Sequence, residues 1–510
     1  MNADSPAAIS IRDIRVIRGK IFLGTVSSSS KAQEVCMRKL FVSLLVLALP
    51  VQIFCQTPPF LVIKNVAVID MTGAPPKPNM TVVIDGGRIA RIGKSSKIKI
   101  PQTVTGVDGS GKFLIPSLWD MHVHVLNSDL MLPLFVANGV LGVRDLGVHN
   151  IDEILLWREQ AKEGKIVSPR IVTAGKVLDG YPQADASFSI LVKTPEEGRK
   201  AVRDLKVNGV DCIKVYDVLA RDTYYAIADE SKKARLPFVG HVPLAITTIE
   251  ASDAGQKSIE HLGKILEDSS SSPEKIKTVH DAAIKEGDYF AFTTRMGRTY
   301  EAILDTYDDK KANEIFAHFR KNNTWQVPTL AIKNGRAFID ELDAKGDPRT
   351  KYVEPSQVNY WKPKVGFFSR YRTPEYIAAQ KKYFQKELDL VREMQRAGVR
   401  ILAGTDAPNA YVIAGFGLHD ELALLVKAGL TPMQALLAAT RNPAEYFGEL
   451  SSQGTIEKGK IANLILLDAD PLADITNTTQ INAVIQNGRY LSRQDLDKIL
   501  ADVEERAKAK

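Results

Sequence analysis

At 510 residues, 45% apolar and 25% charged, the chain has ordinary globular composition and room for one large domain plus a smaller one. No disorder or coiled-coil bias shows. The formal charge of +7 carries no basic block interleaved with aromatics, so nucleic-acid binding is not expected.

In chain order, residues 1–36 show no core pattern and read as an upstream extension, with Ser27–Ser30 of low complexity. Met37-Arg38-Lys39 then precedes the apolar run Leu40–Pro50, which is too short to span a bilayer but has the layout of a secretory signal peptide over 37–56. Phe54 puts a bulky ring beside Cys55, which argues against lipid attachment. The expectation is cleavage near Gln56 and a periplasmic or secreted product without a stable membrane anchor. Removing this segment takes away seven basic residues (Arg12, Arg15, Arg18, Lys20, Lys31, Arg38, Lys39) and three acidic ones (Asp4, Asp13, Glu34), so the charge falls from +7 to +3. Cys212 is then left alone, and no intramolecular disulfide is expected.

Short β-branched runs broken by Gly-Gly follow from Phe60 to Gly93, and the same texture returns at Gly454–Asp468 and Ala483–Arg489. They predict a small β-sandwich formed from both chain ends, residues 57–116 and 451–492, with 493–510 as a C-terminal helix or tail. Between them, apolar runs alternate with amphipathic ones, the pattern of parallel βα units. Strands are predicted at Phe113–His124, Val140–Leu146, Arg170–Leu178, Asp211–Tyr216, Pro237–Val242, Ser258–Leu262, Gln326–Leu330 and Val399–Thr405. Eight in series predict an α/β (β/α)8 TIM-like barrel over 117–450, with its site at the C-terminal strand ends.

Those ends carry the chemistry. Strand residues two apart face the same way, so His122 and His124 can reach one ion, whereas a helix would set them about 200° apart. Lys214, His241, His261 and Asp406 close later strands. Four of the eight histidines thus fall at strand ends, an enrichment that packing does not explain. His149 and Tyr216 are candidates for lining a substrate pocket, and Tyr216 equally fits simple packing. Asp120 stands two residues before His122 as a supporting carboxylate, and Asp145 and Gly147 are candidates for shaping the second strand's loop. His280, His318 and His419 follow no strand pattern and read as surface or packing residues.

Pro116-Ser-Leu-Trp-Asp-Met-His-Val-His124, Val143-Arg-Asp-Leu-Gly147, Ile213-Lys-Val-Tyr216, Gly240-His-Val-Pro243, Ser258-Ile-Glu-His261, Ala403-Gly-Thr-Asp-Ala407 and Gly459-Lys-Ile-Ala-Asn-Leu464 resemble the amidohydrolase superfamily. The likeness runs from about residue 60 to about residue 490. It is greatest to the imidazolonepropionase-like and Xaa-Pro/Xaa-Arg dipeptidase-type branch, which includes ochratoxin-degrading amidases. The resemblance implies two divalent metal ions, usually zinc: His122, His124 and Asp406 on the first, His241 and His261 on the second, and Lys214 as a CO2-derived carbamate bridging them. A free ammonium has no lone pair to offer a cation, so Lys214 fits that role only when carboxylated.

The function expected is hydrolysis of a C–N amide bond in a dipeptide or N-acyl amino acid, ochratoxin-like amides included. A metal-bridging hydroxide would attack, and Asp406 would shuttle the proton to the leaving amine. Alternatives are ring opening of a cyclic amide or lactone and a non-catalytic binding protein on the same barrel. Nucleobase-type deamination is disfavoured because Val242-Pro243 follow His241 where those relatives place a carboxylate. The partner expected is a small molecule or dipeptide; a homo-oligomer is compatible with the sequence but is not readable from it.

Overall fold

The computed structural model describes residues 60–101, 106–285, 297, 299–364 and 373–510. The expected signal peptide at 37–56 and the expected extension at 1–36, with Cys36 and Cys55, lie outside the described residues. Among those described, no helix is long and apolar enough to cross a membrane.

The β-branched runs near the N-terminus form β1 (Leu61–Val68), β2 (Lys77–Asp85), β3 (Arg88–Lys94), β4 (Val107–Asp108) and β5 (Phe113–Pro116). The central region supplies β6 (Leu118–Val123), β7 (Val140–Asp145), β8 (Arg170–Thr173), β9 (Val177–Asp179), β10 (Ser189–Leu191), β11 (Ile213–Val215), β12 (Phe238–Gly240), β13 (Ser258–Glu260) and β14 (Trp325–Val327). The C-terminal part adds β15 (Leu464–Leu467), β16 (Ile481–Gln486) and β17 (Arg489–Ser492).

Strands from both ends of the sequence share one mixed eight-stranded sheet, in the order β17-β16-β15-β5-β1-β2-β3 with β4 on β1. The two ends meet where β15 pairs antiparallel with β5, Leu464 opposite Pro116 and Leu466 opposite Leu114. Val82, Ile84, Leu114, Leu464 and Leu466 pack with their neighbours into this sheet's own apolar cluster.

The central strands are parallel and almost wholly buried, as parallel sheets covered on both faces are. They form a three-stranded sheet, β6-β7-β8, and a six-stranded one, β10-β9-β11-β12-β13-β14. Parallel bridges from Gln326 to Ile401 and from Val123 to Ala407 join β14 to β6 through residues 401–407. On the other side, Asp211 N donates to Thr173 O at 2.8 Å, tying the entry of β11 to β8.

Most predicted strands are shorter than expected by a few residues at their ends; three differ in kind and one is added. Phe113–His124 is two strands, because Pro116 has no N–H to carry a ladder onward and the chain changes partners there: Ser117 N donates to Asn463 O, and Leu118 N to Gly139 O. Arg170–Leu178 is likewise split into β8 and β9, and β10 is an addition. Val399–Thr405 forms one isolated bridge, at Ile401, in place of a strand. The charged segment 267–364 holds helices, including Asp309–Asn322 and Leu330–Ala337, on either side of β14.

Candidate metal and catalytic site

All four strand-end histidines converge. The His122 ring centroid lies 5.5 Å from that of His124 and 4.5 Å from that of His261, and His241 and His261 are 4.8 Å apart. Lys214 Nζ is 3.3 Å from His122 Nε2. Asp406 Oδ1 is 3.0 Å from His124 Nε2 and 3.4 Å from His122 Nε2. His122, His124 and Asp406 form a group able to hold a metal ion.

The hydrogen bonds on the far side of each ring set the tautomers. His124 Nδ1 is 3.0 Å from the Gly147 carbonyl, which can only accept, so that nitrogen carries the hydrogen. His122 Nδ1 meets Glu260 at 2.9 Å, and His241 Nδ1 meets Asp217 at 2.7 Å. His261 Nδ1 meets Thr329 Oγ1 at 2.7 Å while that hydroxyl donates to Pro328 O at 2.8 Å, so it accepts from the ring. Each imidazole therefore turns its Nε2 lone pair inward. Lone pairs facing a carboxylate oxygen repel unless a cation lies between them. Buried Asp406 Oδ1 and His241 Nε2 have no hydrogen-bond partner, which is the arrangement a metal would satisfy.

Electrostatics agree with that chemistry. Burial, with the charge of Lys214 beside it, holds the His122 imidazole well below its usual value, and burial does the same to His261. Lys214, 1% exposed, is pulled below the ordinary lysine value by burial, against the pull of Asp406 and Glu260. Burial would raise the Asp406 carboxyl, but the surrounding His124, His122 and Lys214 side chains outweigh it and hold it well below the ordinary carboxylate value.

Backbone conformation aims these groups. His261 and Asp406 both adopt left-handed φ, 60° and 64°. That turn lets Glu260 and His261, adjacent in sequence, both serve the site. Gly404 permits close approach, since a Cβ there would lie 2.8 Å from His122 N and 2.6 Å from Val327.

The remaining candidates sit around this centre. Asp120 accepts from Thr405 N at 3.0 Å and Thr405 Oγ1 at 2.7 Å, holding the 401–407 segment to β6. Asp145 accepts from Val125 N at 3.0 Å and Thr173 Oγ1 at 2.8 Å, fixing the loop after His124. Tyr216 stacks on His241 at 4.2 Å. His149 is exposed and does not reach the centre, but Phe188 links it to Tyr216 at 6.4 and 6.1 Å. His419, buried between Thr478 and Asn138, and His318, beside Asp253, lie outside the cluster, as does buried His280.

The residues missed from sequence lie behind the histidines. Glu260 links His122 to the buried Arg144, whose guanidinium donates to Glu260 Oε1 at 2.8 Å and to Tyr446 Oη at 2.9 Å. Strand alternation was the available signal: Ser258 and Glu260 share a face, and polar residues on a buried strand need partners. Glu421 was silent in the sequence. Its Oε2 accepts from Ala331 N at 2.7 Å at the start of the helix following Thr329.

A profile of the amidohydrolase family matches residues 113–491. Imidazolonepropionase from Pyrobaculum arsenaticum is 43% identical over 79 residues, 15% of this chain and 19% of that protein. The match thus spans about a fifth of that relative's length. Among solved structures, a Xaa-Pro dipeptidase with bound methionine superposes with a TM-score of 0.62 at 20% identity, covering 85% of this chain and all of that one. Ochratoxinase from A. niger gives 0.58 at 19% identity over 85% of this chain and 95% of its own. At such identities the likeness is one of fold.

Proposed function

Because this chain belongs to the amidohydrolase family, we propose that it is a hydrolase of C–N amide bonds whose substrate is a dipeptide or N-acyl amino acid. The observation that carries the reading is the convergence of four inward Nε2 lone pairs, Lys214 and an ionised carboxylate that lacks a donor. His122, His124 and Asp406 would hold one divalent ion and His241 and His261 a second, with zinc the ion expected. Burial lowers the proton affinity of Lys214 from the ordinary lysine value, which would ease its carboxylation by CO2 with release of one proton, and the carbamate would supply anionic oxygen ligands for the ions. Bound metals supply polarisation of the carbonyl and acidification of water. Asp406 then accepts the proton of the attacking water and returns it to the leaving amine.

The parallel strands are read as a closed (β/α)8 barrel, supported by the bridges through residues 401–407 and the Asp211–Thr173 bond. The two-ended sheet is read as a β-sandwich domain over 57–116 and 451–492 beside a barrel over 117–450. Residues 37–56 are read as a signal peptide directing export to the periplasm or medium. Cyclic-amide opening is the second reading, favoured by the local similarity to an imidazolonepropionase.

Metal analysis of the purified protein, followed by a panel of dipeptides, N-acyl amino acids and cyclic amides, tests the reading. Close to two divalent ions per chain with turnover of linear amides is expected. A metal-free protein inert to the whole panel overturns it, and turnover of cyclic amides alone selects the second reading.

A further inference from the structure

We propose that the strand-entry face, opposite the metal ligands, carries an effector site for a small aromatic carboxylate, coupled to His122 through Tyr446, Arg144 and Glu260.

A cavity of about 780 Å³ opens there, lined by Phe238, Lys257, Trp325, Arg400 and Tyr446 among others. That volume suits a small organic ligand. Phe238 and Trp325 begin β12 and β14, and Lys257 directly precedes β13, so the cavity lies at the strand ends remote from His241 and His261.

Its charges are unevenly satisfied. Glu445 pairs with Arg400 at 2.7 Å, and Asp253 accepts from Asn322 at 2.6 Å and from His318. Lys257 has no carboxylate partner among the described residues. Its ammonium lies 4.3 Å from the Tyr446 ring centroid, and burial with the nearby Arg144 charge depresses its proton affinity. A half-buried cation facing a cavity without a counter-ion favours an incoming anion. Trp325 and Tyr446, 5.9 Å apart at 81°, and Phe238 line the cavity beside the ammonium, each 4% exposed. Carboxylate and aromatic ring are together the complement of this wall.

The cavity is also joined to the metal site. Arg144, 1% exposed, donates to Tyr446 Oη at 2.9 Å and to Glu260 at 2.8 Å, and Glu260 accepts from His122 Nδ1 at 2.9 Å. A ligand that shifts Tyr446 shifts the support of one candidate metal ligand, and such coupling is reciprocal.

Benzoate is the probe, with acetate and benzyl alcohol as single-feature controls, measured by calorimetry on the purified protein. Benzoate should bind more tightly than either control, and Lys257→Met should weaken it at least tenfold while Lys257→Arg retains it. A carboxylate that merely ligates metal would bind Lys257→Met unchanged, and that result, or equal binding of acetate, overturns the site. For the coupling, metal release to a chelator should change at least twofold with saturating benzoate in the parent protein and not in Tyr446→Phe, whose benzoate binding persists. Unchanged release in the parent overturns the effector role. The binding arm needs neither metal nor turnover, so failure of the proposed hydrolase function does not decide it.

Discussion

In the proposed mechanism Asp406 would serve both metal ligation and proton transfer, two demands that conflict on one carboxylate. The His124, His122 and Lys214 side chains around it hold its carboxyl well below the ordinary value despite burial, which leaves it in the ionised form that could take a water proton. Asp406→Asn keeps an oxygen but removes the basic site, so kcat is expected to fall by roughly 10²–10⁴ with most metal retained. Steady-state kinetics beside metal analysis of one sample checks this; a wild-type kcat removes Asp406 from the proton path. Lys214 stands 3.3 Å from His122 Nε2 with its charged form disfavoured. Lys214→Ala should lose most metal and activity, and millimolar short carboxylates should restore part of both by supplying the missing oxygens. Lys214→Arg should not rescue, because a guanidinium stays cationic and cannot add CO2. Full occupancy in Lys214→Ala would refute the carbamate.

Elements position these side chains through a few tight contacts. Gly240 ends β12 at φ 123°, where a Cβ would lie 2.3 Å from Val215 O and 2.8 Å from Val215 N. Gly240→Ala must part β11 from β12, so a loss of about 1–3 kcal/mol is expected together with weakened metal binding at His241. Denaturant unfolding and metal titration would show both, and a variant matching the parent in each contradicts the contact. Glu421, fully buried on the helix Phe416–Lys427, caps the helix Leu330–Ala337 that follows Thr329, and burial pushes its carboxyl up to about 8. A raised acid binds its proton more tightly folded than unfolded. Its contribution is therefore complete below about pH 4.5 and declines as pH rises toward 8. Glu421→Gln keeps an acceptor for Ala331 N–H and cannot ionise, so its stability relative to the parent should rise between pH 5 and pH 8. Melting curves at both values test the sign, and an equal offset at each rules it out.

For the molecule as a whole, the important seam is β5 against β15, because β5 runs through Ser117 into β6 and His122. A chain stopped after Gly448 would leave β5 unpaired along one edge and strip β15–β17 from the shared sheet. Insolubility or loss of metal binding is expected, measured by sedimentation and metal analysis; a soluble, metal-loaded truncation would show the seam to be dispensable. Most strand positions and the residue types at their ends were readable from the chain, because burial imposes local apolar runs and a metal centre would call for His, Lys and Asp where those runs stop. His122, His124, Lys214, His241, His261 and Asp406 could be named for that reason. Glu260, Arg144, Asp217, Thr329 and Glu421 could not be assigned roles, since each acts on a residue brought near by the fold, as Arg144 does on Glu260 116 positions away. The break at Pro116 and the left-handed turns at His261 and Asp406 were equally hidden. Backbone direction there is set by which partner strand supplies the next hydrogen bond, and that choice exists only once distant segments have met.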